Sequence, residues 1–212
     1  MSGFEFFFSF YGLLLGLSVA VIATGVATAI QHRKRIRIGY LTPLLAVFVM
    51  LDIASFWDQA WNNFRDLPFS YGLLVAGLFI ALVYFIAASL VFPHDLDDGA
   101  SLDDHFWANK KVVLFLLVVA NALGLSAAIA ANLDRAAAGQ IIGTYAVLLV
   151  IYMSITVPAA LARRPRLVVV MLGLHVVLYL VSAVGSALHP EMSALPTGPT
   201  AAPSSPAAGA MR

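Results

Sequence analysis

Apolar positions along this chain fall into six long runs divided by short polar stretches, and polarity does not alternate within the runs. A helix rising 1.5 Å per residue needs about 20 apolar residues to cross a hydrocarbon core of roughly 30 Å. Stretches over 4–30, 41–61, 69–92, 112–133, 139–162 and 167–188 meet that length. A barrel strand would instead show about ten residues of alternating polarity. The pattern predicts an all-α integral membrane protein whose six transmembrane helices form a compact bundle over 1–188. The first run exceeds what a span requires, so it is expected to tilt or to enter the interface at its aromatic start. From 189 onward the chain becomes Pro, Ala, Ser, Thr and Gly, and 189–212 is expected to be a disordered outer tail with little to bury.

Composition strengthens this reading. Hydrophobic residues make up 61% of the 212 positions and charged residues 11%, with mean hydropathy +0.92. A soluble domain of that size could not hide so much apolar surface. Charge then sets the expected orientation. Arg33, Lys34, Arg35 and Arg37 lie in the first loop, Lys110 and Lys111 in the third, and Arg163, Arg164 and Arg166 in the fifth. The other side holds Arg65, Arg135 and Arg212. Cytoplasmic loops carry the excess of Lys and Arg, so both termini are expected outside; compact spans and short loops suggest a bacterial inner membrane. Glu5 is the only early charge and the basic cluster follows the first run, the reverse of a cleavable signal peptide.

Two openings resemble each other: Phe8-Ser9-Phe10-Tyr11-Gly12-Leu13-Leu14 and Phe69-Ser70-Tyr71-Gly72-Leu73-Leu74, with Thr144-Tyr145-Ala146-Val147-Leu148 a looser third. Each heads a helix of the same sense, consistent with three parallel two-helix hairpins. Small residues at helical spacing, with Gly12 and Gly16 on the first helix, Gly72 on the third and Gly124 on the fourth, are expected to let helices approach closely. Pro158 removes a backbone bond to the carbonyl of Ser154 and marks a candidate hinge.

Three polar residues fall near mid-depth: Asp52, Asn121 and His175, one on each returning helix. An ionised Asp at the bilayer centre costs about 2.5–3.5 kcal/mol on insertion scales, so Asp52 is expected to face the interior and find partners or a proton. Ser55 and Gln59 follow it on the same face and would line a wet vestibule. In this scheme Asp52 exchanges charge, His175 relays or pairs, and Asn121 bonds a ligand. The alternative for all three is plain helix-to-helix hydrogen bonding.

The third loop carries Asp95, Asp97, Asp98, Asp103 and Asp104 with His94 and His105. A calcium-loop pattern fails there, because the glycine comes one place early and Phe106 stands where Glu is needed. Ser101-Leu102-Asp103-Asp104 reads instead as a helix start. The chain has no cysteine, so thiolate chemistry is excluded. Serine-nucleophile, zinc-peptidase and P-loop motifs are absent, and one mid-depth His poorly suits haem. No cofactor or metal is expected, and an enzyme is disfavoured. Nucleic acid is not expected as a partner. Two functions remain open: a small transporter or channel for a proton, cation or small solute, using Asp52, or a non-transporting subunit that assembles or stabilises a larger membrane complex. The expected partners are the bilayer and either a second copy or another membrane protein.

Overall fold

The structure is a computed structural model that describes residues 3–64, 70–95, 99–132 and 138–188. The tail expected over 189–212 lies outside them, as do Arg65, Asp97, Asp98 and Arg135. Six helices follow one another: α1 Gly3–Gln31, α2 Leu41–Phe64, α3 Tyr71–Ser89, α4 Leu102–Asn132, α5 Ala138–Leu161 and α6 Pro165–Leu188. All six are long and apolar enough to cross a membrane. The protein is therefore a multi-pass membrane protein built as an all-α bundle.

α2 is the most enclosed helix, with half of its apolar window buried. It packs against α1, α4 and α6; α4 in turn packs against α3 and α5, α1 against α3, and α5 against α6. The bundle is thus two four-helix squares sharing the α2–α4 pair. Contacts fix the sense of each helix. Tyr11 near the start of α1 meets Phe56 late in α2, and Gly25 late in α1 meets Phe92 after α3. One end of the bundle, called here the terminal end, holds the starts of α1, α3 and α5. The other, the loop end, holds the starts of α2, α4 and α6.

Lipid is as apolar as Leu, so close packing and polar contacts must hold the helices together. Gly12 and Gly124 supply such packing. A Cβ at Gly12 would lie 2.8 Å from the Trp57 ring, and one at Gly124 would collide with Phe56. Gly16 has nothing within 4 Å, and Gly72 only the Ser70 hydroxyl, at 4.0 Å. α5 continues through Pro158, which stands one turn before its end.

The fourth helix departs most from the sequence reading. The helix start read at Ser101-Leu102-Asp103-Asp104 is present, with the Ser101 hydroxyl accepting from the Asp104 N–H at 3.4 Å, but the helix runs unbroken from Leu102 into the span expected from 112, because nothing from Asp103 to Lys111 breaks it. This extension ties neighbouring helix ends together. Asp103 accepts from the Leu41 N–H at 3.1 Å, capping α2, while Thr42 donates to the Leu102 carbonyl at 2.6 Å. His105 Nε2 lies 3.0 Å from the Leu90 carbonyl at the end of α3. Lys110, read from the sequence as a loop charge, is instead 2% exposed. Its ammonium donates to the carbonyls of Ala159, at 3.1 Å, and Ala162, and lies 4.4 Å above the Trp107 ring. An acid thus meets a helix N-terminus and a cation the orphan carbonyls of a C-terminus, as helix dipoles favour. The first and third loops also pair, through Arg37 N–H to the Ala100 carbonyl and Gly99 N–H to the Arg35 carbonyl, both 2.9 Å. Together these contacts tie the loop-end termini of α2, α3, α4 and α5 to one another, while a cavity of about 440 Å³ lies between α1 and α3 at the same end.

Candidate functional site

Asp52 occupies the middle of the most enclosed helix and is 1% exposed. An isolated carboxylate there must collect donors, and three neighbouring helices supply them. Tyr179 of α6 donates to Oδ1 at 2.5 Å and Tyr84 of α3 to Oδ2 at 3.0 Å. Asn121 of α4 places its Nδ2 3.1 Å from Oδ2 and 3.0 Å from the Leu117 carbonyl, so each amide hydrogen has an acceptor. All three donors are neutral. No Lys or Arg side chain among the described residues reaches Asp52.

His175 lies beside this group without bonding to Asp52. It is 4% exposed and edge-on to the rings of Phe48, Tyr152 and Tyr179, with centroids 5.1, 5.0 and 6.0 Å away. Its Nε2 is 3.3 Å from the Thr156 hydroxyl of α5, while Nδ1 is buried with no hydrogen-bond partner. An imidazolium would need acceptors on both nitrogens, so this geometry fits the neutral ring. The Tyr152 hydroxyl is also buried and lies toward Asp52 and Thr156 without a hydrogen bond of normal geometry. Buried polar atoms are nearly always satisfied, and the unpartnered Nδ1 marks a place where a ligand or water belongs.

A cavity of about 490 Å³ opens beside them, in the terminal half of the bundle between α2, α4, α5 and α6. Ser55, Asp58 and Gln59 contribute from α2, Asn121 from α4, Tyr145 and Tyr152 from α5, and His175, Tyr179 and Ser182 from α6. Asp58, Gln59 and Ser182 are exposed; Asn121, Tyr152, His175 and Tyr179 are more enclosed. Gln59 donates to the Ser55 hydroxyl at 3.2 Å. Asn121 and Tyr179 are the two groups that both line the cavity and bond Asp52, so they stand between it and the carboxylate. Tyr84 holds Asp52 from the opposite side and does not line the cavity.

The chain matches no protein-family model, no curated protein and no solved structure. The site must therefore be read from its own chemistry. Among the described residues no three His, Asp or Glu side chains gather as metal ligands. What remains is a carboxylate held by exchangeable neutral donors, next to a polar-floored, aromatic-walled vestibule.

Of the sequence-predicted residues, Asp52 and Asn121 are bonded to each other, and Ser55, Gln59, Asn121 and His175 share the cavity wall. Pro158 lies away from it, beside the Ala159 carbonyl that Lys110 holds. Tyr84, Tyr152, Thr156 and Tyr179 were not singled out. Their signal was present: Tyr favours the interfaces, so Tyr84, Tyr152 and Tyr179 near the middle of three spans are out of place unless their hydroxyls are used.

Proposed function

We propose that this protein is a small transporter that moves a proton, a cation or a small solute through the vestibule, with Asp52 as the group whose charge partner is exchanged. One observation carries the reading: a fully enclosed carboxylate with three neutral donors and, among the described residues, no basic partner sits one side chain away from an open cavity. Intramembrane charges are costly, and those kept are typically paired with a cation or placed on an ion pathway. Here the described residues supply donors but no cation, and we assign that place to the transported species.

The chemistry follows from the hydrogen bonds. A proton or cation arriving at Asp52 weakens the pull of the carboxylate on Tyr179 and Asn121. Those two contacts tie α6 and α4 to α2, so the packing of the three helices depends on whether Asp52 is satisfied from outside. For the vestibule, the loop end, held by Asp103, His105 and Lys110, is the closed side in this arrangement. We place the terminal end outside a bacterial inner membrane, since Arg33–Arg37 and Arg163–Arg166 cluster at the loop end.

The test is flux in proteoliposomes, beginning with protons and an entrapped pH dye. Asp52→Asn is expected to abolish flux while keeping the wild-type circular dichroism and elution volume. A well-folded Asp52→Asn protein that transports at the wild-type rate would end the reading. If in addition a stoichiometric membrane partner copurified, the assembly role would take its place.

A further inference from the structure

The vestibule has a sign. Asp58 stands at its rim and Asp52 behind its floor, and among the described residues neither Lys nor Arg lines it. Its one imidazole fits the neutral form, as argued above from the unpartnered Nδ1. The attraction of Asp52 in the low-dielectric interior and of Asp58 at the wetter rim favours cations over anions.

The walls narrow the choice further. Phe56, Tyr145, Tyr152 and Tyr179 present aromatic rings to the cavity. Ring faces attract ammonium groups, and aromatic cages are a common way to hold quaternary ammonium ligands. A bare proton needs no such room, whereas about 490 Å³ lies within the range of small-molecule sites. A divalent metal ion is a poor match, since among the described residues no three His, Asp or Glu side chains gather to hold one. The unpartnered His175 Nδ1 offers a hydrogen bond to a polar substituent on the same ligand.

We propose that the vestibule is a binding site for a small monovalent organic cation, an alkylammonium, with Asp52 as its counter-charge and the Tyr152 and Tyr179 rings as its walls. This rests on the transport reading above and names its substrate class. Tyr179 is the positioning residue: it touches the cavity and holds Asp52, so the arriving cation competes with its hydroxyl for the carboxylate.

The test is isothermal titration calorimetry on the full chain in nanodiscs. The probes are methylammonium, tetramethylammonium, tetraethylammonium and choline, with 3,3-dimethylbutan-1-ol as the uncharged match for choline. At least one cation is expected to bind. If choline is among the binders it should bind roughly thirtyfold tighter than its neutral match, which is about 2 kcal/mol at 1.4 kcal/mol per tenfold. Asp58→Asn, at an exposed position where folding is not at stake, is expected to weaken the bound cation about threefold to tenfold through the lost attraction at the rim. Asp52→Asn should weaken it more. Failure of all four cations to bind would overturn the assignment, as would equal affinity for choline and its neutral match. Proton flux that depends on Asp52, without binding of any probe, would remove the substrate class and leave the transport reading standing. Binding of a cation that never crosses the liposome would do the reverse.

Discussion

Replacing Tyr179 by Phe removes one hydroxyl from the Asp52 cluster and leaves the ring in place. The deleted contact is the shortest of the set, 2.5 Å to Oδ1, against 3.0 Å from Tyr84 and 3.1 Å from Asn121. Hydrogen bonds to charged groups are worth about 1.5–3 kcal/mol in water-soluble proteins. Polar contacts in membrane bundles average about 0.6 kcal/mol and reach about 1.7, because separated helices find other partners in the bilayer. A carboxylate finds no donor in lipid tails, so the upper part of the membrane range applies, and Tyr179→Phe is expected to cost about 1.5 kcal/mol. The neutral isostere gives the control. In the Asp52→Asn background the same substitution deletes only a neutral hydrogen bond and is expected to cost about 0.5 kcal/mol. The double-mutant coupling is then about 1 kcal/mol, well inside what cycles resolve. The assay is reversible unfolding in mixed micelles followed by tryptophan fluorescence. A Tyr179→Phe cost that is the same in both backgrounds, to within about 0.3 kcal/mol, would refute the claim that this hydroxyl serves a charged Asp52.

Two further expectations concern the scaffold. Lys110→Met keeps the apolar stem but leaves the Ala159 and Ala162 carbonyls without their ammonium, so it should destabilise the protein by about 1.5–3 kcal/mol in the same unfolding assay. A loss under about 0.5 kcal/mol would mean the cap is dispensable. Gly124→Ala drives a methyl into the Phe56 ring and should cost about 1–3 kcal/mol, whereas Gly16→Ala, facing open space, should be neutral or gain up to about 1 kcal/mol of helix propensity. Equal effects at the two glycines would show that the packing seam is misplaced.

Helix number and approximate spans were legible from the chain because hydrocarbon thickness fixes the length of an apolar run. The exception, the start of α4, shows the limit of that rule. Charged and polar residues from Asp103 to Lys111 read as loop on hydropathy, yet their partners are the ends of α2, α3 and α5, which hydropathy does not encode. Lys110 is the clearest case: its charge is spent on two backbone carbonyls, whose position depends on how α5 ends. Asp52, Asn121 and His175 stood out because polar groups at mid-depth are costly wherever they point. That Asp52 and Asn121 bond directly, while His175 turns to Thr156, depends on helix rotation and was beyond the sequence. The tyrosines were hidden for a different reason. Their apolar bodies suit a membrane helix, so only their depth, not their type, betrays the hydroxyls. Gly16 and Gly72 look like Gly12 and Gly124 in sequence, and only the structure separates those that meet a ring from those that do not.

The central claim is that water reaches the floor of the cavity beside Asp52 from the terminal end and stops there. The chain has no cysteine, so a single introduced thiol reports on one place. Ser182→Cys at the rim, Ser55→Cys deeper in, and Leu45→Cys on the loop-end side of Asp52 form a ladder, with Val177→Cys, exposed at mid-helix away from the cavity, as a lipid-facing control. The measurement is the labelling rate with a charged, membrane-impermeant methanethiosulfonate in sealed vesicles of known orientation. Labelling of Ser182→Cys and Ser55→Cys from the terminal side, with none at Leu45→Cys or Val177→Cys, is the expected result. An unreactive Ser55→Cys, or one reached only from the loop side, would contradict the account.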